Sequence, residues 1–228
     1  FVGNRMLESY LRETEALLLE GASPSQIDRA VEQFGMAMGP CRMMDLAGVD
    51  VVAKVVSERA RNGDLPADPD YRIVTRHLAE LGRFGQKSGE GFYRYDGRTF
   101  VDDIDARSLV QSLARRRGIL PRDAIEDAEI VERCILPLIN EGFQILYEGV
   151  ASRASDIDVV WLSGYGFPEK NGGPMYYADR ILGRARLMER LQHYAASSGN
   201  QWGYWTPTDA LTVSRTEIDG ETVVAEER

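Results

Sequence analysis

The stretch Asn4-Arg5-Met6-Leu7, continued by Leu18-Leu19-Glu20-Gly21, Ile27-Asp28, Phe34-Gly35 and Gly39-Pro40, is echoed later in the chain by Glu132-Arg133-Cys134-Ile135, Leu146-Tyr147-Glu148-Gly149, Ile157-Asp158, Gly166-Phe167 and Gly173-Pro174. Such a repeat decides the architecture, because each copy reads as one supersecondary unit with an apolar face that needs covering. In the second copy Val131, Cys134, Ile135, Leu138 and Ile139 recur at helical spacing; Met6, Leu7, Tyr10, Leu11, Leu17 and Leu18 form a similar stripe in the first. Gly21 and Gly149 follow the last turn, where a left-handed C-terminal cap is wanted. The next helix opens on Ser23-Pro24-Ser25-Gln26, a capping-box arrangement with proline preset at the first helical position. Ser155 is the expected cap in the second copy. Gly39-Pro40 and Gly173-Pro174 then start a third helix, which in the first copy runs on through Leu46, Val49 and Ala53.

Residues Gly89 to Tyr95 interrupt the helical pattern, and Phe92-Tyr93-Arg94-Tyr95 reads as a short extended piece before the Asp96-Gly97 turn. The chain therefore divides into a first repeat over 1–101, a charged connector over 102–127 with an apolar stretch around Leu109 and Leu113, a second, degenerate repeat over 128–205 and a polar tail over 206–228. The last residues of that tail are expected to be poorly ordered. The expected fold is all-α, two tandem helical repeats packed about a pseudo-twofold axis as the subunits of a dimer would be.

With 228 residues, 43% of them hydrophobic, the chain can bury a proper core. Its 27 basic and 36 acidic residues give a formal charge of -9, which offers no attraction to nucleic acid or to an anionic membrane. Arg115, Arg116 and Arg117 form the one dense basic run, read as a solvated helix or linker face with anion binding as the alternative. Cys41 and Cys134 have neither disulfide-framework nor zinc-ligand spacing, and a reducing cytoplasm fits them. No stretch approaches the roughly 18 apolar residues of a membrane span, and no signal pattern opens the chain. Phe1 in place of methionine suggests a piece of something longer.

No self-sufficient active site is visible. His77 and His193 each stand alone among helical residues and read as exposed or core histidines rather than catalytic ones. Serine-hydrolase elbows, Walker loops and metalloprotease helices are missing, and no metal ligand set is seen. Gly89-Glu90-Gly91 and Gly164-Tyr165-Gly166 begin like a dinucleotide fingerprint, but both lack the third glycine and a preceding buried strand, so neither is expected to bind NAD phosphates. Asn4 opens the first helix, and its spacing alone makes it an ordinary cap.

Phe1-Val2-Gly3-Asn4-Arg5-Met6-Leu7, Leu19-Glu20-Gly21-Ala22, Phe34-Gly35-Met36-Ala37-Met38-Gly39-Pro40, Asp45-Leu46-Ala47-Gly48 and Lys87-Ser88-Gly89-Glu90-Gly91-Phe92-Tyr93 together resemble the C-terminal domain of 3-hydroxyacyl-CoA dehydrogenases. The resemblance implies a helical domain of the 6-phosphogluconate dehydrogenase C-terminal type. Two copies in one chain are similar to the multifunctional fatty-acid β-oxidation enzymes, in which an enoyl-CoA hydratase domain precedes the Rossmann domain. That resemblance implies NAD bound by an upstream Rossmann domain absent from this chain, which also supplies a histidine base and its glutamate. Asn4 matches the asparagine placed beside that histidine and the substrate carbonyl, a neutral donor suited to developing negative charge. Glu132 breaks the motif in the second copy, which then serves as a packing partner. Met36, Met38 and Tyr10 could line an acyl path, although residues so spaced are more often core. The implied activity is oxidation of 3-hydroxyacyl-CoA to 3-ketoacyl-CoA, with the isolated piece inactive. Alternatives are a scaffold docking a thiolase subunit, or a 3-hydroxybutyryl-CoA dehydrogenase of short-chain metabolism, against which the second copy argues.

Overall fold

A computed structural model describes residues 2–211 apart from 67, 69, 199 and 201; the end of the polar tail, expected to be poorly ordered, lies outside the described residues. The chain forms α1 (Val2–Leu19), α2 (Pro24–Phe34), α3 (Pro40–Ala47), α4 (Val49–Arg61) and α5 (Ile73–Glu80), then a hairpin of β1 (Tyr93–Asp96) and β2 (Thr99–Asp102). Next come α6 (Ile104–Arg116), α7 (Asp127–Tyr147), α8 (Ala154–Gly164), the short α9 (Pro174–Tyr176) continued by a π-helical stretch Tyr177–Leu182, and α10 (Arg184–Ser197). The fold is all-α apart from the hairpin, whose register sets Tyr93 opposite Asp102 and Asp96 opposite Thr99.

The residues sort into two compact units, one of Leu11–Glu132 and one of Phe1–Tyr10 with Arg133–Arg228. In the first, Asp28 holds the N-terminus of α3: its Oδ1 accepts from the Cys41 N–H at 2.8 Å and its Oδ2 from the Arg42 N–H at 3.0 Å and the Tyr93 hydroxyl at 2.8 Å. These donors belong to the orphan N–H groups of a helix start, normally satisfied by a local cap. Gly39 is required beside them, because a Cβ there would overlap Asp28. Asp45, five residues after Pro40, gathers the loop that precedes the hairpin by accepting from the Phe92 and Tyr93 N–H groups at 2.9 and 3.0 Å and from the Tyr95 hydroxyl at 3.0 Å. Gly85 and Gly91 lie against it with no room for a side chain. Glu15 of α1 caps α5 in the same manner, taking the Val74 N–H at 2.8 Å and pairing with the buried Arg72 at 2.7 Å.

The second unit repeats the first device. Asp158 accepts from the Met175 N–H at 2.7 Å and the Tyr176 N–H at 3.2 Å, again just past a Gly-Pro step, and Gly173 again has no space for a Cβ because Asp158 occupies it. Cys134, Ile135, Leu138, Ile139, Phe143, Ile157, Trp161, Leu187 and Leu191 fill its core. Asp179, five residues after Pro174, pairs with Arg184 at 2.5 Å.

The structure follows the local signals in part. Ser23 caps α2 by accepting from the Gln26 N–H at 3.1 Å, whereas the Gln26 side chain reaches the Ile125 carbonyl at 2.8 Å. Gly21 and Gly149 have φ of 117° and 69°. Ser155 is not a cap: α8 already begins at Ala154, so Ser155 sits inside the first turn and the N-cap position falls on Arg153, which makes no side-chain capping bond. The third helix of the first copy does not run through to Ala53, since Gly48 at φ 97° breaks it into α3 and α4. Residues 104–116 are helical, with Asp103 as N-cap; Arg115 and Arg116 project from the last turn, where cations suit the helix dipole, and Arg117 pairs with Asp70 at 3.2 Å. The tail begins as packed chain, with Ala210 and Leu211 buried and Thr208 donating its N–H to Asn140 at 3.0 Å.

Replacing Asp28 by Ala orphans two backbone donors and a buried phenol, each costing about 1–3 kcal/mol; the thermal midpoint is expected to fall by at least about 6 °C, read by calorimetry. Burial pushes Asp28, Asp45 and Asp158 up to about 6 against the donors that face them. A raised carboxylate binds its proton more tightly in the folded chain, so it adds stability as pH falls through 6 and loses it as pH rises. The midpoint of the native chain, measured relative to Asp158→Asn, is therefore expected to rise between pH 7 and pH 5; a constant difference would refute this titration.

Candidate functional site

Asn4 lies in the first turn of α1, within the unit that holds the second repeat, and its side chain is exposed. Because the helix already begins at Val2, Asn4 is not the cap that its spacing suggested. Its Oδ1 accepts from the Tyr165 hydroxyl at 2.7 Å, and its amide nitrogen makes no hydrogen bond among the described residues. Two N–H donors therefore remain for an oxygen outside the chain.

The seat of that tyrosine is built by its neighbours. The Tyr165 ring lies against Gly3, where a Cβ would overlap it, and stacks on Trp161 with centroids 4.8 Å apart. Trp161 is fully buried, donates Nε1–H to the Met6 sulfur at 3.1 Å and meets Phe167 edge-on at 6.5 Å. Burial raises the Tyr165 pKa, so the phenol keeps its proton and donates. Beside Asn4, Arg5 binds Glu148 with two nitrogens and Glu141 with a third. Its hydrogen bond holds the Glu148 carboxyl down at about 2, and Gln144 donates to the same carboxylate at 2.8 Å.

The other sequence candidates do not join this site. His77 is half-buried, with Nδ1 3.7 Å from Glu80, and His193 lies exposed against the Tyr194 ring at 5.1 Å; no hydrogen bond or ring contact among the described residues links either to Asn4. Met36 and Tyr10 are buried core residues and Met38 is half-buried. Gly89 closes a one-turn helix that leads into the hairpin, and Gly164 is the last residue of α8; neither forms the strand-turn-helix cradle that dinucleotide phosphates need. The described residues hold no group of three or more metal-ligating side chains, and no helix among them is long and apolar enough to cross a membrane. Cys41 and Cys134 are buried and form no disulfide. Sequence reasoning misses Tyr165, because Gly164-Tyr165-Gly166 reads there only as an incomplete nucleotide loop; the available signal is Gly3, a glycine inside a helix turn that calls for a close neighbour.

Residues 1–95 match the family described as 3-hydroxyacyl-CoA dehydrogenase, C-terminal domain. Over 206 residues the chain is 48% identical to the peroxisomal bifunctional enzyme of Danio rerio and 43% identical to that of Homo sapiens, matching 85% of this chain and 28% of each relative. It is 33% identical over 204 residues to the fatty acid oxidation complex subunit alpha of Shewanella halifaxensis, matching 89% of this chain and 27% of the relative. The chain thus spans less than a third of the length of these relatives. Among solved structures, the dehydrogenase part of multifunctional enzyme 1 from C. elegans superposes with a TM-score of 0.70 at 30% identity, over 93% of this chain and 47% of that one. A 3-hydroxybutyryl-CoA dehydrogenase from Escherichia coli shares the fold, with a TM-score of 0.67 at 20% identity over 93% of this chain and 58% of that one.

Gly3→Ala forces the Tyr165 ring from its seat, and is expected to change the near-ultraviolet circular dichroism of the Trp161 and Tyr165 pair and to lower the thermal midpoint. Gly164→Ala, where an added Cβ meets nothing within 4 Å, serves as the control and should leave the spectrum unchanged.

Proposed function

We propose that this chain is the substrate-side half of an NAD-dependent 3-hydroxyacyl-CoA dehydrogenase, part of a hydratase/dehydrogenase that oxidises 3-hydroxyacyl-CoA to 3-ketoacyl-CoA in fatty-acid β-oxidation. The observation that carries the reading is Asn4, which stands in the matched family segment with its oxygen held by Tyr165 and its amide N–H groups turned outward. A neutral amide donates to the substrate oxygen without exchanging a proton, and a fixed donor stabilises charge that grows in the transition state. An upstream Rossmann domain would hold NAD as the hydride acceptor and bring the histidine base, and a hydratase domain would precede it in the parent chain. The role of this chain is to orient the acyl-CoA oxygen at Asn4.

The bacterial relative is described as subunit alpha of a complex, and this supports a second reading, in which the region serves as a scaffold or docking module for a thiolase subunit. Short-chain 3-hydroxybutyryl-CoA metabolism shares the chemistry and differs in substrate. We place the parent in a reducing compartment, for which Cys41 and Cys134, buried and outside any disulfide, are the support; cytoplasm suits them, as does the peroxisome named for the animal relatives.

Acetoacetyl-CoA reduction, followed as NADH loss, should be absent for this chain alone and appear when the upstream half is added. Asn4→Ala in the full-length enzyme is expected to lower kcat by about 10²–10³, the cost of removing one transition-state donor. An unchanged rate would remove Asn4 from the mechanism.

A further inference from the structure

We infer that Tyr165, a residue of the second repeat, is the positioning residue that sets which face of the Asn4 amide the substrate meets. The inference rests on the role proposed for Asn4. An exposed asparagine near a helix start is free to rotate about its last side-chain bond, so it presents oxygen and nitrogen in turn and loses rotamer entropy when a ligand selects one of them. Here the carbonyl oxygen is taken by the phenol at 2.7 Å, and the nitrogen faces outward with no partner among the described residues. The reverse orientation would set a phenol oxygen, the weaker acceptor, against the amide N–H and leave the phenol proton without the carbonyl.

The tyrosine can impose this choice because its own ring has little freedom. Gly3 meets one part of the ring at backbone distance, Trp161 stacks against it at 4.8 Å, and Trp161 is itself tied to Met6 through its indole N–H at 3.1 Å. Glycine at position 3, asparagine at position 4 and methionine at position 6 thus form one contact set with the end of α8 and the residue that follows it. All of these residues belong to the same compact unit. The second repeat, although it carries Glu132 where the first carries Asn4, contributes to the one site by orienting the first repeat's amide.

The test is Tyr165→Phe in the full-length enzyme, beside Asn4→Ala and the double variant, with kcat and KM for acetoacetyl-CoA and for NADH and the thermal midpoint measured for each. Phenylalanine keeps the ring on Gly3 and Trp161 and deletes only the hydroxyl. The expected result is a kcat about tenfold lower, the scale of one lost hydrogen bond, with the KM for NADH and the thermal midpoint unchanged and the double variant no slower than Asn4→Ala. Tyr165→Phe at full kcat beside a crippled Asn4→Ala, or losses that multiply in the double variant, would overturn the positioning role while leaving Asn4 in place. Full activity of Asn4→Ala would overturn both.

Discussion

The structure depends on a buried aspartate placed across the start of a neighbouring helix. Asp28 and Asp158 each close the N-terminus of a helix that follows a Gly-Pro step, reached from 13 and 17 residues earlier in the chain. Proline at the first helical position supplies no N–H of its own, so the next two donors become the ones to satisfy, and in both repeats they meet one carboxylate. Glycine precedes the proline because the carboxylate occupies the space of a side chain. These donors offset only part of the burial that disfavours the charge, and removing the carboxylate would leave them in an apolar setting. A tertiary cap of this kind fixes a helix direction more firmly than a local one, because it ties two helices and a turn together.

The composition of the compact units gives the second repeat its importance. The unit containing Arg133–Arg228 also contains Phe1–Tyr10, and the unit containing the rest of the first repeat extends to Glu132. The sequence copies are therefore not the packing units: each unit is assembled from most of one repeat and the opening residues of the other repeat's long helix. Asn4 is first-repeat sequence inside a unit made chiefly of the second. The chemistry of its surroundings, Tyr165, Trp161, Glu141 and Glu148, is second-repeat chemistry.

Much of the fold was legible because its signals are local. Helical stripes, the Ser23 cap, the glycine stops at Gly21 and Gly149 and the proline starts at Pro40 and Pro174 each act within one turn of chain. The repeat itself exposed Asp28 and Asp158 as a pair, but not their partners, which depend on how α3 and α9 fold back. Ser155 misleads because a serine near a helix start is a cap only if the chain places it one position before the first turn. Leu109 and Leu113 hinted at α6, and the charge around them concealed it; Leu113 is fully buried, while Arg115 and Arg116 face water. At the site, the matched segment pointed to Asn4, whereas Tyr165 lies 161 residues away along the chain and could be found only through contact.

What the second repeat kept and what it lost separates scaffold from function. The Gly-Pro step, the aspartate that caps the helix after it and the glycine stop of the long helix all remain. Five residues after the proline both copies also keep an aspartate, yet its use differs. Asp45 gathers the loop of Gly85 to Tyr95 through two backbone donors and a tyrosine, whereas Asp179 is neutralised by Arg184 at 2.5 Å and holds no such loop among the described residues. An aspartate taken largely out of water needs a partner, and Arg184 supplies it for Asp179. Both copies thus share the aspartate-capped helix after the Gly-Pro step, while Asn4 in the first aligns with Glu132 in the second.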